Sequence, residues 1–353
     1  MMLLLKVIIS VSQFCAVTPP FIQKKSHPFH RKCHILFTFT LITAILIAAF
    51  IEKNFFVREG IIKMIVLYLN NLILYAFSYR AIIALNFWKK DQWYKLLENL
   101  STGRQIKQKR FGYENAGFFL ANLFYLAIAM YTMINWHDPQ KLPHVINVIE
   151  QYLQFLYKCL CCVLLHMLSQ RYAKLAQLVG FHLKRRKQRK VIPISLIKHI
   201  EYEMCLLKQT VNIFNEIFGW PIALIILFST IQLFNYIEFS VYFYEYVNFV
   251  EKIMAAIWIL SFGIAPTIVL VLICDYVCQK ARRMLPLTFK LRWCFKNCGT
   301  RENLELYELT SLVVGNAPRF TAANFFDVGK PLLLDIFGLA FTYVVVLIQF
   351  HGS

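Results

Sequence analysis

The chain contains seven long apolar segments, each of about the length needed to cross a lipid bilayer. A helix needs roughly 20 mostly apolar residues to span the hydrocarbon core. Segments of this kind lie at about 35–51, 61–85, 117–136, 145–168, 218–240, 253–278 and 331–350. Composition agrees, because 58% of the residues are hydrophobic and only 16% are charged, against about 25% charged in soluble domains. The sequence predicts an all-α integral membrane protein with seven transmembrane helices, and disfavours a soluble enzyme.

Lysine and arginine residues collect on alternate sides of the predicted spans. Residues 1–34 carry 5 of them, and the connections at 86–116, 169–216 and 279–330 carry 7, 10 and 9, whereas the opposite connections carry three in all. Because Lys and Arg accumulate on the cytoplasmic side, the amino terminus is predicted to be cytoplasmic and the carboxyl terminus extracellular. Topology and contact with anionic membrane lipid then explain the net charge of +19, and no nucleic-acid partner is expected.

This orientation is opposite to that of G-protein-coupled receptors. The chain also has neither a DRY motif after its third span nor an NPxxY motif in its last, so no G protein is required as a partner. Cys294 with Cys298, and Cys274 with Cys278, have no second pair or His at zinc spacing. Since no His, Asp or Cys constellation gathers at one membrane depth, we expect no enzyme activity, no cofactor and no metal site.

The segment 195–218 has the pattern of an amphipathic helix. Its apolar residues recur every three or four positions, which is the spacing of one helical face. These residues are Leu196, Ile200, Met204, Leu207, Val211, Phe214 and Phe218. The pattern predicts a helix that continues directly into the fifth span.

Two further helices are predicted on the cytosolic side. The fourth span continues past the membrane over 165–182, and residues 302–314 form a short helix with Leu304, Leu309 and Leu312 facing inward. The residues alone leave open whether these helices pack only within the chain or also join subunits together. The whole predicted anchor region comprises residues 169–217 and 302–315.

The last span carries small and polar residues along one side of an otherwise bulky apolar helix. They recur at steps of three and four residues and form a narrow stripe: Asp335, Gly338, Thr342, Val345 and Gln349. A carboxylate and an amide are costly against lipid, so the stripe must face protein or water. It is either a helix–helix contact face or the lining of a pore formed by several copies of the helix. In a pore, Asp335 would form a carboxylate ring that favours cations, and Gln349 would narrow the outer end.

The end of this span also matches a known signature. Residues 342–350 read TYVVVLIQF, which resembles the TYhhhhhQF signature of insect gustatory receptors, where h is an apolar residue. The stretch 320–340 resembles the segment that precedes this signature in the family, with corresponding residues at Ala323, Phe325, Phe326 and Asp327. The seven-span layout with a cytoplasmic amino terminus fits the family as well.

The resemblance implies a tastant-gated, non-selective cation channel that passes Na⁺, K⁺ and Ca²⁺. Residues 35–350 would form the channel domain of a homo- or hetero-tetramer with other gustatory receptor subunits, in the plasma membrane of sensory neurons. The seventh helix of each subunit would surround a central pore, and the Gln of the signature, here Gln349, would lie at the extracellular gate. The implied pore and gate residues are Gln349, Phe350, Thr342, Val345, Val346 and Asp335.

The resemblance further implies a ligand pocket in the outer half of each helical bundle. Candidates are polar and aromatic residues of the outer half-spans: Asn71, Tyr131, Trp136, Glu150, Gln154 and Trp258. A carboxylate at the depth of Glu150 needs a partner or water, which a ligand amine would provide. Each candidate could instead make a hydrogen bond between helices, and Trp136 could be an interface anchor. Val344 stands where sugar-sensing members often have Glu, which disfavours a sugar ligand.

Two other functions are compatible with the sequence. The chain could be an accessory or co-receptor subunit of a heteromeric channel, without a tastant response of its own. A secondary transporter is less favoured, because transporters usually show internal repeats and paired broken helices. In this sequence only the sixth span has candidate breaks, at Gly263 and Pro266.

Overall fold

The structure of the chain is a computed structural model. It describes residues 2–14, 18–19, 36, 40, 43, 61–101, 112–135, 141–184, 193–242, 249–295 and 300–351. The first predicted span, 35–51, lies outside the described residues apart from Leu36, Thr40 and Thr43.

The described residues are mostly helical, as the sequence predicts. The helices are α1 (Met2–Phe14), α2 (Ile61–Ile83), α3 (Lys90–Ser101), α4 (Gly112–Asn135), α5 (Lys141–Lys184), α6 (Ile194–Tyr242), α7 (Phe249–Trp258), α8 (Ala265–Arg282), α9 (Met284–Cys294), α10 (Thr300–Gly315) and α11 (Lys330–His351). Two π-helical turns, Ala84–Trp88 and Ile259–Ile264, directly follow α2 and α7. A two-stranded antiparallel hairpin, β1 (Thr321–Ala322) and β2 (Phe326–Asp327), precedes α11.

Four helical stretches of the described chain are long and apolar enough to cross a membrane. They contain the predicted fourth to seventh spans and are Asn147–Lys184 in α5, Ile194–Glu238 in α6, Lys252–Cys294 across α7 to α9, and Lys330–Gln349 in α11. Helices α2 and α4 lie over the predicted second and third spans. Each of these six predicted spans therefore coincides with a helix.

Helices α5 and α6 are much longer than a membrane is thick. They have 44 and 49 residues, or about 66 and 74 Å at 1.5 Å per residue, against a hydrocarbon core of about 30 Å. Helix α5 continues from the predicted fourth span to Lys184, and α6 begins at Ile194 and runs into the predicted fifth span. The helical patterns at 165–182 and 195–218 are both present as helix.

The main hydrophobic core is formed by residues of α1, α2 and α3 together with the long helices α5 and α6 and with α8, α9 and α10. The apolar face of α6 lies in it, because six of the seven residues that define its pattern are buried, whereas Leu196 is half-buried. The six are Ile200, Met204, Leu207, Val211, Phe214 and Phe218. The helical period read from the sequence is thus confirmed for α6.

Helix α10 packs through a partly different face from the predicted one. Leu309 is buried and Leu312 is half-buried, as predicted, but Leu304 is 59% exposed, so its inward placement is wrong. The buried face runs through Leu306, Leu309 and Val313. Leu304 lies about 200° round the helix from Leu306, on the side away from the contact with α6 and α9.

An arginine joins three helices beyond the predicted fourth span. Arg171 on α5 donates through one guanidinium nitrogen to Glu203 on α6, 2.6 Å away, and through the other to the carbonyl oxygen of Asn99 on α3. The side chains of Arg171 and Glu203 are only 12% and 18% exposed. Charge-assisted hydrogen bonds of this kind are stronger than neutral ones, so this contact holds α3 against the two long helices.

The hairpin before α11 closes with a tight turn. Its two central residues, Ala323 and Asn324, have positive φ angles of 52° and 63°, and the N–H of Phe325 donates to the carbonyl oxygen of Ala322 over 2.9 Å. Positive φ at both central positions of a tight turn suits the twist of paired strands. Phe325 is the third residue of this connection, because Ala322 pairs with Phe326.

Asn215 on α6 fastens this hairpin to the bundle. Its amide nitrogen donates to the carbonyl oxygen of Arg319 at 2.7 Å, and its side-chain oxygen accepts from the N–H of Thr321 at 3.3 Å. Both partners are main-chain groups just before and at the first strand. The segment that leads into α11 is therefore held in register on α6.

Candidate pore helix and ligand-binding bundle

Helix α11 packs on its own chain through one face, against α6 and α8. The residues of this face recur at steps of three and four and are buried or half-buried: Leu333, Ile336, Ala340, Tyr343 and Leu347. The ring of Tyr343 lies 4.9 Å, centroid to centroid, from that of Phe234 on α6. This aromatic contact connects the signature at the end of α11 to the long helix beside it.

The predicted stripe lies on the side of α11 opposite to this packed face. Its residues Asp335, Gly338, Thr342, Val345 and Gln349 are all exposed in the single chain. At 3.6 residues per turn, the stripe is displaced by about 160° from the packed face. Among the described residues, the stripe therefore lies outside the face by which α11 packs on α6 and α8, and this placement favours a surface that meets water, lipid or another copy.

Large apolar side chains flank the stripe and are exposed as well. They are Leu334, Phe337, Phe341 and Ile348 on one side and Leu339 and Val346 on the other. Phe350 lies in the last turn of α11. Within the stripe, the Thr342 hydroxyl donates to the carbonyl oxygen of Gly338 at 3.0 Å. Because that hydroxyl proton is already bonded inside the helix, Thr342 presents an acceptor oxygen and a methyl group outward.

The start of α11 is linked to α8 by an ion pair. The Lys330 ammonium lies 3.7 Å from a carboxylate oxygen of Asp275, which also accepts from the side-chain amide of Gln279 at 2.6 Å. A lysine in the first turn of a helix opposes the helix dipole, and the nearby carboxylate offsets that cost. The first residue of α11 is thus tied to a neighbouring helix.

The predicted ligand-site residues that the structure describes lie inside the bundle. Asn71, Glu150 and Gln154 are buried, and Tyr131 and Trp258 are half-buried. Trp136 lies outside the described residues. The indole N–H of Trp258 donates to the side-chain oxygen of Gln151 at 2.8 Å, so this tryptophan already bridges α7 and α5.

An aromatic cluster surrounds Trp258, and only that member was predicted from the sequence. Tyr125 is at its centre, with ring centroids of Trp258, Phe262, Tyr152 and Phe155 at 5.2, 4.6, 5.0 and 6.0 Å. These residues come from α4, α5, α7 and the π-helical turn after α7. The spacing of Trp258 and Phe262, four residues apart, could have indicated from the sequence that they share a helix face. No sequence pattern indicates that the aromatic residues on α4 and α5 contact them.

Directly beside this cluster, three polar side chains meet at one carbonyl oxygen. The carbonyl oxygen of Gly263, in the π-helical turn, lies 3.0 Å from Lys158 Nζ, 3.0 Å from Ser229 Oγ and 2.9 Å from Thr267 Oγ1. Lys158 also donates to the carbonyl oxygen of Phe262 at 3.2 Å. Sequence patterns gave Lys158 no role beyond its place in the fourth span, because its partners are more than 100 residues away.

Comparisons with known proteins agree with this architecture. The chain is similar in structure to the insect olfactory receptor OR5 from Machilis hrabei, with a TM-score of 0.70 over 98% of this chain and 97% of that one, at 13% sequence identity. It is similarly close to the same receptor in complex with eugenol, with a TM-score of 0.69 and 11% identity over 98% of this chain and 97% of that one. Identities this low show a shared fold and no more.

The sequence itself gives the family. No curated protein sequence matches the chain significantly, but the profile of the 7tm chemosensory receptor family matches residues 5–352. The match covers nearly the whole chain, including the stripe of α11 and the anchor helices. The chain therefore belongs to the 7tm chemosensory receptor family.

Proposed function

We propose that the chain is a gustatory receptor subunit that acts as a tastant-gated, non-selective cation channel. Four subunits surround a central pore, each contributes α11, and the stripe from Asp335 to Gln349 lines the water-filled axis. The observation that carries this proposal is the placement of the stripe about 160° round α11 from the face that packs on α6 and α8.

Exposure to lipid carries a free-energy cost for the polar residues of the stripe. A carboxylate and an amide facing hydrocarbon are expensive, so intramembrane residues of this kind face a bundle interior or a water-filled cavity. In the described chain the interior of the subunit is on the other side of α11. A water-filled axis shared by several copies would hydrate both Asp335 and Gln349. Thr342 and Val345 would lie between them along the same pore.

Exposed apolar residues on α9 and on the anchor helix α10 support assembly. Helices α9 and α10 present large side chains to solvent, at Phe289, Trp293, Leu304, Tyr307 and Val314. In the predicted topology these helices lie outside the bilayer, where an apolar patch of this kind marks a protein interface. Contact between neighbouring subunits through α9 and α10 would cover them, and it favours the assembly interpretation of the anchor region.

The ligand side of the proposal rests on the outer half of the bundle. Tyr131, Glu150, Gln154 and Trp258 lie on helices that meet around the aromatic cluster, with Asn71 on α2 and with Trp136 outside the described residues. Aromatic walls with a few polar groups suit a small, partly polar molecule. The related olfactory receptor has been solved with eugenol, and a small organic tastant is the corresponding ligand class for this chain.

The charge pattern completes the proposal. Basic connections on one side support a cytoplasmic amino terminus and an extracellular carboxyl terminus, in the plasma membrane of sensory neurons. Gln349 then lies at the extracellular end of the pore, where it serves as the gate together with Phe350. Asp335 lies near the cytoplasmic end, where a ring of four carboxylates attracts Na⁺, K⁺ and Ca²⁺.

Cysteine accessibility tests this arrangement. Thr342→Cys on the stripe is compared with Phe341→Cys, its neighbour on the exposed apolar flank, in cells that express the full chain. A membrane-impermeant thiol reagent should label Thr342→Cys and change its basal current, while Phe341→Cys and the unmodified chain stay unchanged. Labelling of Phe341→Cys alone would contradict the pore. Labelling of Thr342→Cys without any current, and with current restored by a second receptor subunit, would identify an accessory or co-receptor subunit instead.

A further inference from the structure

Lys158 is a buried lysine that belongs to neither the proposed pore nor the anchor helices. It lies in α5 with 1% of its surface exposed, in a helix long and apolar enough to cross a membrane. Its ammonium donates to the carbonyl oxygens of Phe262 and Gly263. In the part of the chain that the structure describes, no carboxylate forms an ion pair with it within 4.0 Å. A lysine in such a place is a functional-site candidate by default.

A structural role does not account for the charge. A π-helical turn shifts the backbone hydrogen bonds of its helix, but the Gly263 carbonyl oxygen lies 3.0 and 2.9 Å from the hydroxyls of Ser229 and Thr267. These two hydroxyls are 2.7 Å from each other, so one donates to the other and the second donates to the carbonyl. That carbonyl needs no ammonium. The ammonium has three N–H donors, of which two are used on carbonyl oxygens.

A second donor lies one helical turn away on the same side of α5. Gln154 precedes Lys158 by four residues, so their side chains are neighbours on one helix face. It is 1% exposed, and its amide nitrogen has no hydrogen-bond acceptor in the described structure. Buried donors are nearly always satisfied by protein, water or ligand. Lys158 and Gln154 therefore offer N–H groups to an acceptor that is not a described part of the chain.

An apolar wall adjoins these donors. Phe262, whose carbonyl oxygen accepts from Lys158, also places its ring 4.6 Å from Tyr125 and 5.3 Å from Trp258. The ammonium and the aromatic cluster thus meet at one residue. A ligand that suits both has an acceptor group with negative charge at one end and an apolar or aromatic body at the other.

We propose that Lys158 and Gln154 bind the carboxylate of a small organic acid whose apolar body packs against the cluster of Tyr125, Trp258 and Phe262. This inference rests on the proposed ligand-gated function and names the chemical class of its ligand. The two carboxylate oxygens accept from the remaining Lys158 N–H and from the Gln154 amide. Glu150, on the same helix, is one turn from Gln154 and two turns, about 12 Å along the axis, from Lys158, so the carboxylate of the acid lies nearer to Lys158 than to Glu150.

Binding of a matched pair of probes tests the inference without any channel current. The full chain in lipid nanodiscs is titrated with phenylacetate and with its neutral analogue phenylacetamide, and tryptophan fluorescence and thermal stabilisation are measured. We expect phenylacetate to bind about tenfold more tightly than the amide. Lys158→Met should remove this preference, Gln154→Leu should reduce it, and Lys158→Arg should retain much of it. Lys174→Met, an exposed lysine on the same helix, should leave it unchanged.

The outcomes separate this inference from the channel proposal. Equal binding of acid and amide, no binding of phenylacetate up to millimolar concentration, or an unaltered preference in Lys158→Met would each overturn it. If Lys158→Met fails to fold, the comparison of Lys158→Arg and Gln154→Leu with the wild type decides. Labelling of Thr342→Cys does not depend on an acid ligand, so this result tests the pore alone. Binding of phenylacetate does not depend on a current, so this result tests the acid site alone.

Discussion

Gly219 on α6 lies against the main chain of Ala323 in the hairpin, and a Cβ atom at Gly219 would stand 3.0 Å from the Ala323 amide nitrogen. The same Cβ would be 3.3 Å from the carbonyl oxygen of Thr321. A Cβ atom at this position would require the hairpin backbone to move away from the helix by a few tenths of an ångström. Because the hairpin leads within a few residues into α11, this contact sets where the proposed pore helix begins.

Gly219→Ala should therefore destabilise the protein, although alanine is the better helix former. The gain in helix propensity is at most about 1 kcal/mol, whereas displacing a packed backbone costs about 1–3 kcal/mol. Thermal unfolding of the purified full chain should show a lowered midpoint, and channel currents should fall as α11 shifts.

Gly180→Ala is the matched control for this change. Gly180 is also helical, on α5, but a Cβ there meets nothing within 4 Å. Its replacement should leave the unfolding midpoint unchanged or raise it. If the two alanine variants behave alike, the close approach at Gly219 has no energetic consequence.

Gln349→Ala should change the basal current or its rectification while surface tetramers remain intact. The amide is removed from the narrow outer end of the proposed pore, and the packed face of α11 is untouched because Gln349 is on the opposite side. Ile348→Ala, one residue away on the exposed apolar flank, serves as the control in the same patch-clamp recordings. Unaltered currents in Gln349→Ala would remove the gate role from this residue.

Asp335→Asn should lower the permeability of Ca²⁺ relative to Na⁺. Four carboxylates around one axis attract a divalent ion more strongly than a monovalent one, and a loss of about 1 kcal/mol in a hydrated site is about a fivefold change in relative permeability. Reversal potentials in Ca²⁺ and Na⁺ solutions measure it. Asp327 is an exposed carboxylate on the hairpin, and Asp327→Asn should leave the relative permeability of Ca²⁺ unchanged. If the relative permeability is the same in the two variants, Asp335 does not form a carboxylate ring.

The parts of the fold that follow a local period were predictable from the sequence. The buried face of α6 from Ile200 to Phe218, the continuity of α5 and the face of α11 that bears Asp335 and Gln349 all follow from spacings of three and four residues. Leu304 does not follow this rule, because it precedes Leu309 by five residues and therefore lies about 140° round the helix from it. The strands on either side of the turn at Ala323 and Asn324 have only two residues each, which is too few to show a periodic pattern.

The contacts that define the bundle interior could not be predicted in this way. Lys158 meets Phe262 and Gly263, and Tyr125 meets Trp258 and Phe262, across separations of about a hundred residues or more. Such neighbours depend on how helices cross, and helix crossing is set by the packing of whole surfaces. The sequence could place Gln154 and Trp258 on helices without indicating which other side chains they approach.

The unbroken length of α5 has a mechanical consequence. A straight rod of about 66 Å that tilts by about 5° moves one end by about 6 Å relative to the other, which exceeds the rise of a full helical turn. The same tilt about Gln154 would move Arg171, about 26 Å along the helix, by about 2 Å, and Lys184, about 45 Å along it, by about 4 Å. A tilt of α5 therefore couples the movement of residues that lie far apart along this helix.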